Sequence, residues 1–247
     1  WTPPPPRRLG SWARGVWSAW PPPATLVVLD NANPPFMYQQ DGQPRGLYPR
    51  MLHAIFTHAG EPVEIRAVPW KRALLLGESA AAGIGGIYMN RRRLQVFDYS
   101  APLFEEKLRI YVRKDRVFPF ESVEDLTDKE VGTIRGWSYS ESFDRAVREQ
   151  RINARESTSD ESNFRKLASG RLDAVIAIEE SGQQMIRRLR LDGLVPLAKP
   201  LSVNPTYLVF AKDAEHRELL AKFNASLRAM RDDGSLQALI EQATTQD

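Results

Sequence analysis

The strongest pattern in this chain is a single stretch, GIGGIYMNRRRLQVFDYSAPLF, at residues 83–104. It opens with a short apolar run rich in small residues, which predicts a buried strand over 82–89. Glycines within a strand indicate either close packing or a small molecule approaching the backbone, and both interpretations remain open for GIGG at 83–86. The basic run Arg91–Arg93 follows as a turn. The stretch therefore predicts a buried strand that ends in a positively charged turn.

Strands and helices alternate on both sides of this stretch. On its N-terminal side we predict strands over 25–30 and 62–68 and helices over 49–60 and 70–79. On its C-terminal side the predicted elements are a strand over 108–115, a short helix over 123–127, a strand over 129–136, helices over 138–150 and 159–170, a strand over 171–178, a helix over 179–191, a strand over 205–213 and two helices separated at Asp232–Gly234. This alternation predicts an α/β fold with largely parallel sheets.

Composition excludes several classes of protein. The 247 residues are 42% hydrophobic and 26% charged, as in an ordinary globular chain, and no stretch is long and apolar enough to span a bilayer. There is no cysteine, and the three histidines lack the spacing of metal ligands, so we expect neither a metal site nor a cofactor. Arg7, Arg8 and Arg14 carry the whole net charge of +3. The remainder is neutral, which argues against nucleic acid as a partner.

Residues 1–23 differ in composition from the rest and are predicted to form a flexible leader. They hold seven of the 18 prolines and four of the six tryptophans. Proline runs favour extended polyproline geometry, while the segment between them could form a short amphipathic turn against a membrane or against the rest of the protein. The leader has no apolar core of a signal peptide, which fits a targeting segment that has already been removed.

Motifs of enzymes are absent. The sequence has no GxSxG elbow, no phosphate-binding GxxxxGK[ST] loop and no GxGxxG between a strand and a helix. Two adjacent acid pairs, Glu105–Glu106 and Glu179–Glu180, cannot act as catalytic dyads by themselves, because neighbouring side chains in a strand or helix point apart. We therefore expect a protein that binds its ligand without transforming it.

Four motifs in order resemble the family 3 periplasmic solute-binding proteins, the polar amino-acid binders of ABC transporters. The central one is the stretch quoted above, with its Arg93 and the closing YSAPLF at 99–104. The others are NPPF with DGQPRGL near the N-terminus, VEDLTDKEVGTIRGWSYSE at 123–141 and FRKLASGRLDAVIA at 164–177. The resemblance covers about residues 25–243.

The resemblance implies a two-lobed periplasmic binding protein fold of the Venus flytrap type. Each lobe would be a mostly parallel sheet flanked by helices, and the chain would cross between the lobes twice, at 112–115 and near 201–207. The first lobe would comprise 24–112 plus 206–247, and the second 113–205. It further implies a monomer in the periplasm that closes on a small carboxylate-bearing ligand, possibly an amino acid, and delivers it to an ABC permease.

Carried onto this chain, the family's site has a clear chemistry. Arg93 would grip the ligand's carboxylate, since a guanidinium fork fits a carboxylate in a bidentate manner. Ser138, taken as the N-cap of the helix over 138–150, would add donors to the same carboxylate, and its alternative role is simple capping. Gly86 and Tyr88 match strand positions that offer backbone groups and a hydroxyl.

The aromatic residues and one acid complete the implied site. Trp70 matches the aromatic that stacks on the ligand from the first lobe, and Trp137 faces it from the second. Asp30, at the end of the first strand, takes the place of an acid that senses the ligand's side chain. Its alternative role is that of an ordinary turn or cap residue.

The chain also departs from the family. The acid that usually accepts the ligand's α-ammonium group is replaced by Ile178, followed by Glu179. Either Glu179 takes that role or the ligand lacks an α-ammonium. Two alternatives to transport therefore stay open: the periplasmic input domain of a membrane receptor such as a sensor kinase, and a dehydratase built on the same fold, with Glu179 or Asp30 as the acid.

Overall fold

The computed structural model of the protein describes residues 24–245. Its thirteen described strands are β1 (Thr25–Asp30), β2 (Ala32–Asn33), β3 (Met37–Gln40), β4 (Gln43–Arg45), β5 (Val63–Val68), β6 (Gly83–Tyr88), β7 (Phe97–Tyr99), β8 (Phe104–Arg113), β9 (Glu130–Ile134), β10 (Asn153–Ser157), β11 (Ala174–Ile178), β12 (Leu194–Pro196) and β13 (Ser202–Ala211). The α-helices are α1 (Leu47–His58), α2 (Trp70–Glu78), α3 (Arg93–Val96), α4 (Glu141–Arg148), α5 (Asp160–Ala168), α6 (Glu179–Leu189), α7 (Ala214–Asp232) and α8 (Ser235–Thr245). Two short 3-10 helices span Lys114–Arg116 and Val123–Leu126.

Ten strands form one mixed sheet, whose main path runs β10-β9-β11-β8-β13-β6-β1-β5. The strands at each end are parallel: β1 pairs with β5 and β6, and β9 pairs with β10 and β11. Between them, β8 and β13 are antiparallel to each other and join the two parallel sets. We call β1, β5 and β6 with α1, α2, α7 and α8 the first lobe, and β9, β10 and β11 with α4, α5 and α6 the second lobe.

The two long strands carry the chain between the lobes. The start of β8, around Phe104, pairs only with β13, whereas from Leu108 onward β8 pairs with β11 and then with β12 of the second-lobe side. Likewise β13 begins opposite β8 and then pairs with β6 from Thr206 to Val209. The architecture is therefore the α/β, two-lobed fold that the resemblance implied.

Buried apolar side chains explain why these segments form lobes. The strands β6 and β11 are buried at every position, which fits apolar runs covered on both faces. In the first lobe, α1 buries Met51, Leu52, Ile55 and Phe56, an amphipathic set at helical spacing. The second lobe has its own cluster around Tyr111, Phe164 and Val175.

The predicted alternation is confirmed, with local differences. The helix expected over 138–150 begins only at Glu141, because the hydroxyl of Ser140 accepts the backbone N–H of Phe143 and caps it. The prediction that Ser138 is the N-cap is therefore wrong. The strand β10 was not expected, since its sequence NARES has no apolar alternation. It forms as an edge strand, held by parallel pairing with β9.

Gly86 shows why the glycine-rich strand is needed at the site. Its φ of 72° lies in the left-handed region, which side-chain-bearing residues rarely adopt. A Cβ there would lie 3.0 Å from the Tyr48 ring and 3.1 Å from the sulfur of Met37. Gly86 therefore exposes its backbone to the space beside Tyr88, at the carboxyl end of β6.

Candidate functional site

A cavity of about 260 Å³ lies where the two lobes meet, at the carboxyl ends of β1 and β6. It is lined by Met37, Trp70, Gly86, Tyr88, Arg93, Glu106, Trp137 and Ser138. Six of these eight residues belong to the predicted site. The structure therefore brings residues from five separate stretches of sequence together around one cavity.

Arg93 is a buried cation. It is 7% exposed, at the start of α3, and its guanidinium donates hydrogen bonds to the carbonyl of Tyr88 at 2.9 Å and to that of Gly136 at 3.4 Å. Burial lowers its pKa. No carboxylate in residues 24–245 forms an ion pair with it. Its neighbour Arg91, by contrast, is solvated, with a side chain 87% exposed.

The two tryptophans meet across the lobes. The indole N–H of Trp70 donates to the carbonyl of Gly136 at 3.1 Å, so the first lobe places two donors, Trp70 and Arg93, on one carbonyl of the second lobe. The rings of Trp70 and Trp137 lie edge to face with centroids 6.5 Å apart. The Arg93 guanidinium carbon lies 5.8 Å from the Trp70 ring. The cavity thus has two aromatic walls around one cation.

Asp30 lies at the end of β1, as predicted, beside this cavity. It is buried, and its carboxylate accepts hydrogen bonds from the Trp137 indole N–H at 3.2 Å and from the backbone N–H of Ala32 at 3.2 Å. Burial raises its pKa to about 6, although both hydrogen bonds oppose this shift. Asp30 is therefore more than a turn residue: it binds the second lobe.

A second buried acid, Asp160, belongs to the second lobe. It occupies the first turn of α5 and is 3% exposed. Burial and then the charge of Asp30 raise its pKa to about 7. Nothing in the sequence distinguishes Asp160 from other acids in the first turn of a helix, where the helix dipole favours a negative charge.

Glu106 is the acid that lines the cavity itself. It lies on β8, is only 2% exposed and accepts hydrogen bonds from the hydroxyls of Tyr48 and Tyr88. Burial raises its pKa to about 7, against the effect of both tyrosines. The sequence offered one signal for it, the pair Glu105–Glu106 within a strand, since alternation makes one member exposed and the other buried.

Ser138 lines the cavity, although it is not the helix cap. Its hydroxyl donates to the carboxylate of Asp144, which also accepts the backbone N–H of Tyr139 at 3.0 Å. Burial raises the pKa of Asp144. Asp144 thus fixes the loop that carries Trp137 and Ser138 to the cavity.

Glu179 is not among the cavity-lining residues. Its carboxylate accepts from Arg109 at 2.8 Å and from Lys107 at 3.2 Å, and both partners lie on β8. Burial acts to raise its pKa, but these two cations outweigh that effect and lower it. Ile178, which stands in the place of the family's ammonium acceptor, is buried at the end of β11.

The lobes are packed together around the cavity. Residues of both lobes enclose the cavity of about 260 Å³. Besides the contacts of Trp70, Arg93 and Trp137, the hydroxyl of Ser181 on α6 donates to the Asn33 side chain at 3.0 Å. An amino-acid-sized ligand therefore needs the lobes to separate before it enters.

Over residues 24–245, no cluster of three or more His, Asp or Glu side chains is suited to hold a metal ion. None of the helices in that same part has the length and apolar character that a membrane crossing requires.

The fold and cavity define a two-lobed protein that holds a small solute between its lobes. The model of the bacterial extracellular solute-binding proteins, family 3, matches residues 26–246, and the chain belongs to this family. The resemblance found in the motifs is thereby confirmed.

The chain is also similar to an individual binding protein and to two solved structures. The L-cystine-binding protein TcyJ of Escherichia coli is 25% identical over 219 residues, which are 87% of this chain and 80% of that protein. A histidine kinase sensor domain with similarity to periplasmic binding proteins superposes with a TM-score of 0.80 at 24% identity, over 89% of this chain and 95% of that one. An ancestral arginine-binding protein bound to arginine gives a TM-score of 0.77 at 23% identity, over 89% and 97%. The two structures share this fold.

Proposed function

We propose that this protein is a periplasmic binding protein that closes on an amino acid and delivers it, as a monomer and without catalysis, to an ABC permease. The observation that carries the proposal is Arg93, a guanidinium buried at the meeting of the lobes with no ion-pair partner within residues 24–245. An unmatched buried charge is costly. A ligand carboxylate would neutralise it and would receive two parallel N–H donors from the planar fork.

The geometry around Arg93 suits a ligand that touches both lobes. Arg93 and Trp70 belong to the first lobe, while Trp137 and Ser138 belong to the loop after β9 in the second. A ligand shifts the equilibrium toward the closed form only through contacts that the open form lacks. The carbonyl of Gly136, which now accepts from Arg93 and Trp70, is the contact that a ligand carboxylate would replace.

Two buried acids favour a cationic side chain on the ligand. Asp30 from the first lobe and Asp160 from the second are both buried, and neither forms an ion pair with a cation of the described chain. Burial raises the pKa of each, and the charge of Asp30 raises that of Asp160 further. A guanidinium or ammonium group between them would relieve the cost of ionising both acids. L-Arginine, the ligand of the ancestral arginine-binding protein, is therefore the first probe, and L-cystine, the ligand of TcyJ by name, is the second.

We also propose the lobe boundaries that the resemblance implied, 24–112 plus 206–247 and 113–205. The pairing of β8 and β13 supports two crossings, since both strands have partners on the first-lobe and second-lobe sides. Residues 246–247 lie outside the described part, as does the leader at 1–23.

The position of Glu179 argues against the version of the dehydratase alternative in which Glu179 is the acid. A general acid must keep a proton to donate, whereas the ion pairs with Arg109 and Lys107 lower the pKa of Glu179. The receptor alternative uses the same fold, which the histidine kinase sensor domain also has. It differs from the transport proposal in the partner protein that the closed form would contact.

The direct test is a thermal-shift screen of the purified full chain with the twenty common amino acids and L-cystine, followed by native mass spectrometry. We expect at least one amino acid to raise the melting temperature and to appear as a one-to-one complex. Ligand linkage predicts about 2.7 kcal/mol of stabilisation at a concentration one hundred times the dissociation constant. A screen with no binder, or release of a chemically altered product, would contradict the proposal.

A further inference from the structure

Two opposite charges line the cavity without an ion-pair partner. Arg93 supplies the positive charge, and Glu106 is the lining residue with a carboxyl group. Among residues 24–245, neither forms an ion pair with the other or with any third residue. A cavity that presents a lone cation and a lone anion complements a ligand that carries both charges, as an α-amino acid does.

Glu106 is held in a fixed orientation toward this cavity. Tyr48 reaches it from α1 and Tyr88 from β6, and both hydroxyls donate to its carboxylate. A carboxylate has about four lone-pair sites, so two tyrosine donors leave capacity for the N–H groups of an ammonium. The hydroxyl of Tyr48 also lies 3.0 Å from the hydroxyl of Thr206 on β13, which donates to the carbonyl of Phe104 on β8. Hydrogen bonds therefore connect Tyr48 to both of the long strands.

The position at which the family usually has its ammonium-accepting acid supplies no free carboxylate in this chain. Ile178 is apolar, and the neighbouring Glu179 is occupied by Arg109 and Lys107. Asp30 is engaged by the Trp137 indole and is not among the cavity-lining residues. Glu106 thus remains as the acid of the cavity wall.

We propose that Glu106 accepts the α-ammonium group of the ligand, so that the zwitterion lies with its carboxylate on Arg93 and its ammonium on Glu106. The inference rests on the proposed function and assigns the ammonium site to β8 rather than to the end of β11. Charge-assisted hydrogen bonds of this kind are strong and directional. The site therefore selects α-amino acids over carboxylic acids that lack the amino group.

The wild-type protein tests this selectivity without any variant. Calorimetry compares L-arginine with 5-guanidinopentanoic acid, the same molecule without its α-amino group, and L-cystine with 3,3′-dithiodipropionic acid in the same relation. We expect each amino acid to bind at least tenfold more tightly than its partner. Equal affinities would overturn the inference while leaving the proposed carboxylate binding intact. If none of the four binds and the amino-acid screen also fails, the proposed function itself is overturned.

Glu106→Gln then tests the residue, with Glu105→Gln as the matched control. Glu105 is the preceding residue on the same strand and is exposed, so it changes the formal charge equally without touching the cavity. We expect Glu106→Gln to weaken binding of the amino acid at least tenfold and binding of its des-amino partner less than threefold. The variant then no longer prefers the amino acid over the partner. Glu105→Gln should leave both affinities unchanged. An equal loss for both ligands in Glu106→Gln would assign Glu106 a structural role and overturn the inference. If Glu106→Gln does not fold, the wild-type ligand comparison decides the inference.

Discussion

The indole nitrogen of Trp137 lies 3.2 Å from a carboxylate oxygen of Asp30, and this hydrogen bond joins the two lobes. Asp30 ends the first strand of one lobe, while Trp137 belongs to the loop after β9 in the other. Together with the bond from Trp70 to the Gly136 carbonyl, it fixes the lobes in contact beside the cavity. The contact between the lobes therefore uses residues that also belong to the proposed ligand site.

The first prediction concerns this contact. Trp137→Phe keeps an aromatic ring but removes the donor to Asp30, so the closed form loses one hydrogen bond to a charged group, worth about 1.5–3 kcal/mol. We expect the ligand-free variant to populate the open form more, with a larger radius of gyration by small-angle X-ray scattering than the wild type.

Tyr99→Phe is a suitable control, since the Tyr99 hydroxyl has no hydrogen-bond partner within residues 24–245. It should scatter like the wild type. A radius of gyration unchanged by Trp137→Phe would mean that the bond to Asp30 does not hold the lobes together.

The second prediction follows from the buried carboxyl group of Asp160. Its pKa is about 7 in the folded protein and 3.8 as a free side chain, so the folded state binds the proton more tightly. The contribution of Asp160 to the free energy of unfolding is therefore fully present below about pH 4 and is lost as the pH rises through about 7. Asp160→Asn removes the ionisation, and we expect it to raise the free energy of unfolding at pH 8 by about 1–4 kcal/mol and to leave it nearly unchanged at pH 4.

Denaturant unfolding at both pH values measures this difference. The variant should also bind L-arginine more weakly than the wild type at pH 8, because it loses one of the two acids assigned to the cationic side chain. A variant that is destabilised equally at both pH values would show that Asp160 is held by interactions other than those described.

The third prediction concerns residues 1–23. The buried clusters are built from residues between Val27 and Ala243, and β1 is already paired with β5 from Thr25 onward. We therefore expect deletion of the leader to leave the melting temperature and the ligand affinity nearly unchanged. A large loss of thermal stability would reveal that the leader packs on the folded part.

The sequence predicts some parts of the fold and of the candidate site and not others. Gly86 and Arg93 lie within one continuous pattern of small residues and a basic turn, so local sequence places them at the end of a strand. Trp70 begins a separate helix, and only the family resemblance linked it to the site. The α/β alternation follows likewise from apolar periodicity. Ser138 lines the cavity but was wrongly predicted to be the cap of α4, because the hydroxyl of Ser140 accepts the backbone N–H of Phe143 instead.

Glu106 and Asp160 were not visible for a physical reason. The carboxylate of Glu106 is buried by Tyr48, which is 58 positions away in the sequence, and burial and an acid 130 positions away raise the pKa of Asp160. The pair Glu105–Glu106 indicates only that one of its two members is buried, and nothing in the local sequence indicates that Asp160 is buried. Burial of an acid is decided by the tertiary fold, so the charged wall opposite Arg93 appears only in three dimensions.

In the proposed mode of binding, Arg93 anchors the carboxylate of the ligand. Calorimetry with the amino acid identified in the screen should be carried out on Arg93→Ala and on Arg91→Ala, whose side chain is solvated. Truncating one member of a desolvated charge pair costs about 2–5 kcal/mol, so Arg93→Ala should weaken binding at least about 30-fold. Arg91→Ala should change it less than about threefold. Equally small effects of both substitutions would contradict the carboxylate anchor and with it the proposed mode of binding.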